Sequence, residues 1–113
     1  DGFIYEIPAG RLEPGEPPEQ CAVRELREET GCTAAKMEHL YTMYTTPGFT
    51  DEKIHLFVAT GVVSGESSLE ADEFVEVVPT AMSAALALIK DGTINDAQTA
   101  LSILHVAGFF LGR

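Results

Sequence analysis

Short apolar runs separated by Pro, Gly and acidic turns set the rhythm of the chain. Residues 3–7, FIYEI, predict a brief strand closed by Pro8, Gly10 and the turn-rich EPGEPP. Pro18 suits a first helical turn and Gly31 a helix stop, which predicts a helix over residues 18–30. Residues 36–46, rich in Met, Tyr and Thr, read as a strand that stops at Pro47-Gly48. Residues 53–63 alternate imperfectly and predict a largely buried strand paired with it, followed by the polar loop GESSLEAD and a third strand over 74–78. Thr80 is expected to cap a helix through Lys90, stopped by Gly92, and Asn95 or Asp96 to start a last helix reaching about residue 110. The sum is an α/β sandwich with a mixed, largely non-alternating sheet and helices packed on it. No internal repeat or second domain is visible, so residues 1–113 are expected to form a single domain.

Composition narrows this picture. With 113 residues and 45% hydrophobic content the chain is globular and can bury one modest core. A formal net charge of -11 argues against nucleic acid or an anionic membrane as partner, and is awkward for an enzyme acting on phosphate esters unless metal ions neutralise the site. No apolar run reaches the length of a bilayer span. Cys21 and Cys32 read as reduced, cytoplasmic thiols rather than a disulfide framework. Asp1-Gly2 leads into FIYEI without an initiator Met, from which a C-terminal portion of a longer protein is expected.

Charge on the first helix raises the chemical question. At roughly 100° per residue, Glu25, Glu28 and Glu29 share an arc of about 100°, beside Ala22, Val23, Leu26 and Thr30, which are expected to face the core. Like charges at this spacing repel, and the edge of a packed face raises the cost. Two readings follow. The arc is a solvated acidic face balanced by Arg24 and Arg27, or it awaits a hard divalent cation with oxygen ligands.

Gly10, Glu16 and Arg24-Glu25-Leu26-Arg27-Glu28-Glu29-Thr30-Gly31 stand at the spacings Gly-x5-Glu-x7-Arg-Glu-U-x-Glu-Glu-x-Gly-U, where U is a bulky aliphatic. This closely resembles the Nudix box. The last position departs, with Cys32 in place of an aliphatic residue, and Cys often behaves as a small buried hydrophobe. The resemblance implies a loop–helix–loop that binds divalent metal and hydrolyses a nucleoside diphosphate linked to another moiety. It implies Glu25 and Glu29 as metal carboxylates, Glu28 as a further ligand or proton acceptor, and the carbonyl of Ala9 as an additional ligand. Glu16 and Arg24 are then structural, orienting loop and helix by ion pairing. Mg²⁺ is the implied cofactor, with Mn²⁺ able to stand in.

Further stretches, YEIPAGRLEPGE, TTPGFTDEKIHLFVAT, DEFVEVV and DGTINDAQTALSIL, resemble ADP-ribose pyrophosphatases, as does Pro47 placed 15 residues after Cys32. A Pro-Gly turn also serves any hairpin. The resemblance places Glu73 where a glutamate handles the attacking water, with Glu70 and Asp72 as neighbours in a loop that solvation alone would explain. It makes Glu6 a contact of the substrate or of a metal-bound water and Gly48 a substrate contact, although a charge at a strand edge accounts for Glu6 almost as well. His39, His55 and His105 lack a local ligand spacing and read as strand or helix faces. No nucleophile elbow surrounds Ser64, Ser67 or Ser68, and nothing near Cys21 suggests an activated thiolate.

The implied function is Mg²⁺-dependent hydrolysis of ADP-ribose to AMP and ribose 5-phosphate. Another nucleoside diphosphate compound, such as a nucleotide sugar, keeps the chemistry and changes the substrate. A non-catalytic ADP-ribose sensor is a third reading, opposed by the complete set of box carboxylates. ADP-ribose pyrophosphatases carry an N-terminal strand region that is commonly exchanged between subunits and contributes to the adenine site. The resemblance therefore implies a homodimer, with that region absent from these residues.

Overall fold

A computed structural model describes residues 7, 13–46, 48–49, 52–65 and 77–112. Two compact units emerge, Pro8–Val75 and a second made of Asp1–Ile7 with Glu76–Arg113. The first holds a helix packed on a β-hairpin, and the second holds the C-terminal helices.

Helix α1 spans Pro18–Thr30, the range the sequence predicts. Pro17 precedes it in an extended conformation, and Pro18 enters the first turn, where a missing N–H costs nothing. Glu19 near the start and Arg27 near the end complement the helix dipole. Gly31 ends the helix at φ 76°, a left-handed conformation that favours glycine, and its N–H donates to the Arg27 carbonyl at 2.8 Å. The Thr30 hydroxyl donates to the Leu26 carbonyl and accepts from the Cys32 N–H at 3.1 Å, which fixes the chain's exit from the helix. One expectation needs correction. Val23 is 49% exposed, and the buried position of α1 is Cys21, while Ala22, Leu26 and Thr30 are half-buried. The helix is rotated so that its packed stripe runs nearer Cys21 than Val23.

Strand β1, Thr33–Tyr44, pairs antiparallel with β2, Lys53–Val63, from Thr33↔Val63 to Tyr44↔Lys53. It starts three residues before the predicted position because pairing with Val63 begins directly beyond the helix cap. The register slips between His39 and Tyr41, where Leu40 is the extra residue of a bulge. At the hairpin end the Thr45 hydroxyl donates to Glu52 Oε1 at 2.7 Å, and Phe49 N–H donates to the Thr46 carbonyl. After β2, Gly65 passes so close to the helix cap that a Cβ there would lie 2.7 Å from the Gly31 carbonyl oxygen. The described part of the sheet is this pair. The expected strand at 3–7 lies outside the described residues except for Ile7, and so do residues 74–76; Val77 and Val78 are irregular.

In the other unit, α2 spans Met82–Lys90 and α3 spans Ala97–His105. Thr80 does not cap α2, contrary to expectation. Its hydroxyl donates to the Val78 carbonyl at 2.9 Å, and Ala81 takes the cap position without a side-chain hydrogen bond. Gly92 at φ 86° turns the chain after α2, and Ile94 N–H returns to the Leu88 carbonyl, burying Ile94. Asp96 caps α3 fully, accepting from both the N–H and the hydroxyl of Thr99 at 2.9 and 2.7 Å, which lowers its own pKa. Ile7 N–H donates to the same Thr99 oxygen at 3.3 Å, tying the end of the FIYEI run to this helix start. Among the described residues of this unit, Ala85, Ile94, Thr99 and Ser102 are buried. Beyond His105 the helix widens into a π-turn, Val106–Phe110.

Candidate metal centre on the acidic helix

Arg24 organises the carboxylates of α1. Its Nε and Nη2 donate to the two oxygens of Glu16 at 2.9 and 3.0 Å, a bidentate fork across the loop-to-helix junction. Nη1 is left for the helix and donates to Glu25 Oε1 at 2.9 Å and to Glu28 Oε1 at 3.2 Å. Glu13 adds a longer ion pair at 3.9 Å and gives its N–H to Glu16 Oε1 at 3.0 Å. One cation thus faces several anions, and the group stays electronegative.

Electrostatics separate the carboxylates. Glu16, 13% exposed, is held at a pKa of about 2 by its hydrogen bonds from Arg24 and from the Glu13 backbone. Glu25, 16% exposed, moves the other way: burial raises its pKa, and the neighbouring Glu28 adds to the rise. Burial also pushes the Cys21 thiol up, helped by the charge on Glu16, so Cys21 is a protonated packing residue beside the Arg24 fork.

Glu25 and Glu28 place one oxygen each on a single cationic nitrogen, and Glu29 adjoins them on the same helix. Hard oxygen donors of this kind suit Mg²⁺, which takes one or two carboxylates and completes its shell with water and substrate phosphate. Among the described residues no three metal-capable side chains are already gathered around one point. Two helix carboxylates, Glu25 and Glu28, share Arg24 Nη1 with the longer Glu13 pair, so a divalent cation held by these residues would compete with this guanidinium nitrogen.

Several predicted site residues, Glu6, Ala9, Gly10, Pro47, Glu70, Asp72 and Glu73, lie outside the described residues. Gly48 is exposed at φ 90° in the hairpin connection, with open space where a Cβ would sit, so the glycine serves the turn. Sequence reasoning missed Glu13 and Cys21 as neighbours of Arg24. Cys21 stands one helical turn before Arg24, the signal that would have found it.

A NUDIX domain matches residues 1–100, and the chain belongs to the Nudix family. It is 47% identical over 105 residues to the ADP-ribose pyrophosphatase of Bacillus subtilis (strain 168), a match covering 91% of this chain and 57% of that protein. It is 45% identical to the methanol dehydrogenase activator of Bacillus methanolicus, with the same coverage. The GDP-mannose pyrophosphatase of Cronobacter sakazakii is 38% identical over 109 residues, covering 94% of this chain and 56% of that protein. In three dimensions the chain is similar to the crystal structure of an ADP compounds hydrolase, with a TM-score of 0.70 and 28% identity over 89% of this chain and 55% of that one. The fold is the Nudix-type α/β fold. The chain spans a little over half the length of the curated relatives it matches.

Proposed function

We propose that the Nudix domain of residues 1–113 serves an enzyme that hydrolyses the diphosphate of ADP-ribose to AMP and ribose 5-phosphate with Mg²⁺, or Mn²⁺ in its place. The observation that carries the reading is the pair of helix carboxylates, Glu25 and Glu28, converging on one cationic nitrogen while Glu16 holds the rest of Arg24. The 47% identity to an ADP-ribose pyrophosphatase supports the substrate.

Glu25, Glu28 and Glu29, with the Ala9 carbonyl, would hold the metal. When bound, it polarises the diphosphate and shields the developing charge. Glu16 and Arg24 fix the loop against α1 so that the carboxylates share one edge. Glu73, or Glu28 in its stead, takes the proton of the attacking water as a bridging P–O bond breaks, and Glu6 and Gly48 contact the substrate. We place the enzyme in the cytoplasm, in keeping with two free thiols, Cys21 and Cys32, and a nucleotide substrate. Among the described residues no helix is long and apolar enough to cross a membrane. A homodimer, with upstream residues completing each site, is our reading of the assembly; net charge opposes nucleic acid and membrane as partners.

GDP-mannose is the second reading, favoured by the pyrophosphatase relatives that act on it by name. The test is a substrate comparison on the intact protein with Mg²⁺ and with chelator. ADP-ribose is expected to be cleaved faster than GDP-mannose, and chelation to stop both. Faster GDP-mannose cleavage would exchange the substrates, and chelator-resistant cleavage would overturn the metal reading.

A further inference from the structure

The two histidines of the hairpin are far apart in the chain but meet on one face. In a regular strand, residues three apart point to opposite faces, so His39 and Thr42 would be separated. The extra residue at Leu40 restores the parity and puts both on the same side. Thr42 pairs directly with His55 across the ladder, and His39 with Phe57. As a result His39 Nε2 lies 2.8 Å from Thr42 Oγ1 and His55 Nδ1 lies 3.0 Å from the same oxygen. The ring centroids are 6.2 Å apart, and Phe57 stands edge-on to His39 at 5.3 Å.

One hydroxyl has one proton, so it can donate to only one of these nitrogens and must accept from the other. Two imidazoles and a hydroxyl thus converge on a single point of the sheet. His39 is exposed, leaving room for water on the outer side, and His55 is half-buried, which anchors the second ring. Lys53, on the same face, is held over the Tyr44 ring at 5.7 Å. Neutral imidazole is a ligand for borderline ions such as Zn²⁺, Cu²⁺ and Ni²⁺, whereas the carboxylates of α1 suit Mg²⁺.

We propose that His39 and His55, with Thr42 between them, form a second cation site that takes a borderline divalent transition-metal ion on the face of the hairpin. Binding would require rotation of the His39 ring about its two rotatable bonds until both nitrogens stand at bonding distance, about 2.0–2.1 Å for zinc. The bulge is then what creates the site.

The probe is Zn²⁺ added to the intact protein in excess Mg²⁺, followed by NMR of the imidazole nitrogens, with Cu²⁺ and electron paramagnetic resonance in parallel. His39 and His55 signals are expected to shift together while those of His105 stay, and Cu²⁺ to show coupling to two nitrogens. His39→Asn, at an exposed position, should keep the fold and leave one coupled nitrogen. Loss of an outer partner of a metal ligand costs about 10–100-fold in affinity, so loss of this ligand should cost at least that. Unmoved His39 and His55 signals, or Zn²⁺ affinity unchanged in both His39→Asn and His55→Asn, would overturn the proposal and assign the ion to the carboxylate helix.

Discussion

Arg24 meets Glu13, Glu16, Glu25 and Glu28 with a single positive charge, and two of these partners shift in opposite directions: Glu16 is lowered by its bonds to Arg24, and Glu25 is raised by burial. Glu16 is stabilised as an anion at about 2, below its ordinary 4.5. Its contribution to stability is therefore complete above about 4.5 and disappears as pH falls through about 2. Glu16→Gln should be less stable than wild type at neutral pH, and the gap between their thermal midpoints should close on acidification through that window. A gap independent of pH would show that the fork does not stabilise the fold. Glu25 has a raised pKa, so its ionisation works against the metal-free fold as pH rises. Glu25→Gln is expected to match or exceed wild-type stability without metal, to lose the stabilisation Mg²⁺ gives, and to lose most hydrolysis. Near-wild-type hydrolysis across a Mg²⁺ titration would refute its assignment as a ligand. Glu73→Gln should lower kcat more than it weakens substrate binding, by about 10²–10⁴-fold if the residue is the general base. A smaller loss at saturating metal moves that role to Glu28 or to the neighbouring acids Glu70 and Asp72.

At the scale of elements, α1 was legible because its ends carry their own chemistry: Pro18 and Gly31 bound it whatever packs around it. The start of the last helix was legible to within one residue, Asn95 or Asp96, because the capping bonds of Asp96 reach only to Thr99. Thr80 misled because a hydroxyl can serve the preceding backbone as easily as the following helix, and here it turns back to Val78. The packed stripe of α1 depended on what lies against it, which its own periodicity could not say. The His39–Thr42–His55 convergence was illegible for a stronger reason. It is a cross-strand contact made by a bulge, and local spacing contains neither the pairing nor the slip. The hairpin offers a direct check on its close packing. Gly61 sits at φ 64°, and a Cβ there would lie 2.6 Å from the Cβ of Ala35. Gly61→Ala should therefore destabilise the protein by about 1–3 kcal/mol through overpacking and backbone strain. Adding Ala35→Gly should recover the steric part and leave the backbone part. An unchanged denaturation midpoint for Gly61→Ala would mean that the strands separate there at no cost.

For the whole molecule, the C-terminal segment presents an imbalance between surface and core. Leu101, Leu104, Phe109 and Leu111 are all exposed, Phe109 at 71%, whereas among the described residues of the same unit the buried apolar positions are the small Ala85 and Ile94. Apolar area left in water costs roughly 25 cal/mol per Å², so covering these side chains favours association. The net charge of -11 opposes it, through a repulsion that salt screens within about 10 Å at 0.1 M. Residues 1–113 expressed alone are expected to self-associate, more strongly as salt rises, instead of forming a competent monomer. The relatives named for pyrophosphatase activity are nearly twice as long as the segment matched here, so hydrolysis by residues 1–113 alone is expected to be weak or absent. Sedimentation of residues 1–113 across a salt series, with ADP-ribose hydrolysis measured on the same samples, separates the two terms. Mass rising with salt and little activity fits apolar cover supplied by further chain or a second subunit. A monomer at every salt concentration, hydrolysing ADP-ribose as fast as the intact protein, would refute both the dimer and the need for upstream residues, and would leave the exposed leucines and phenylalanines as ordinary surface.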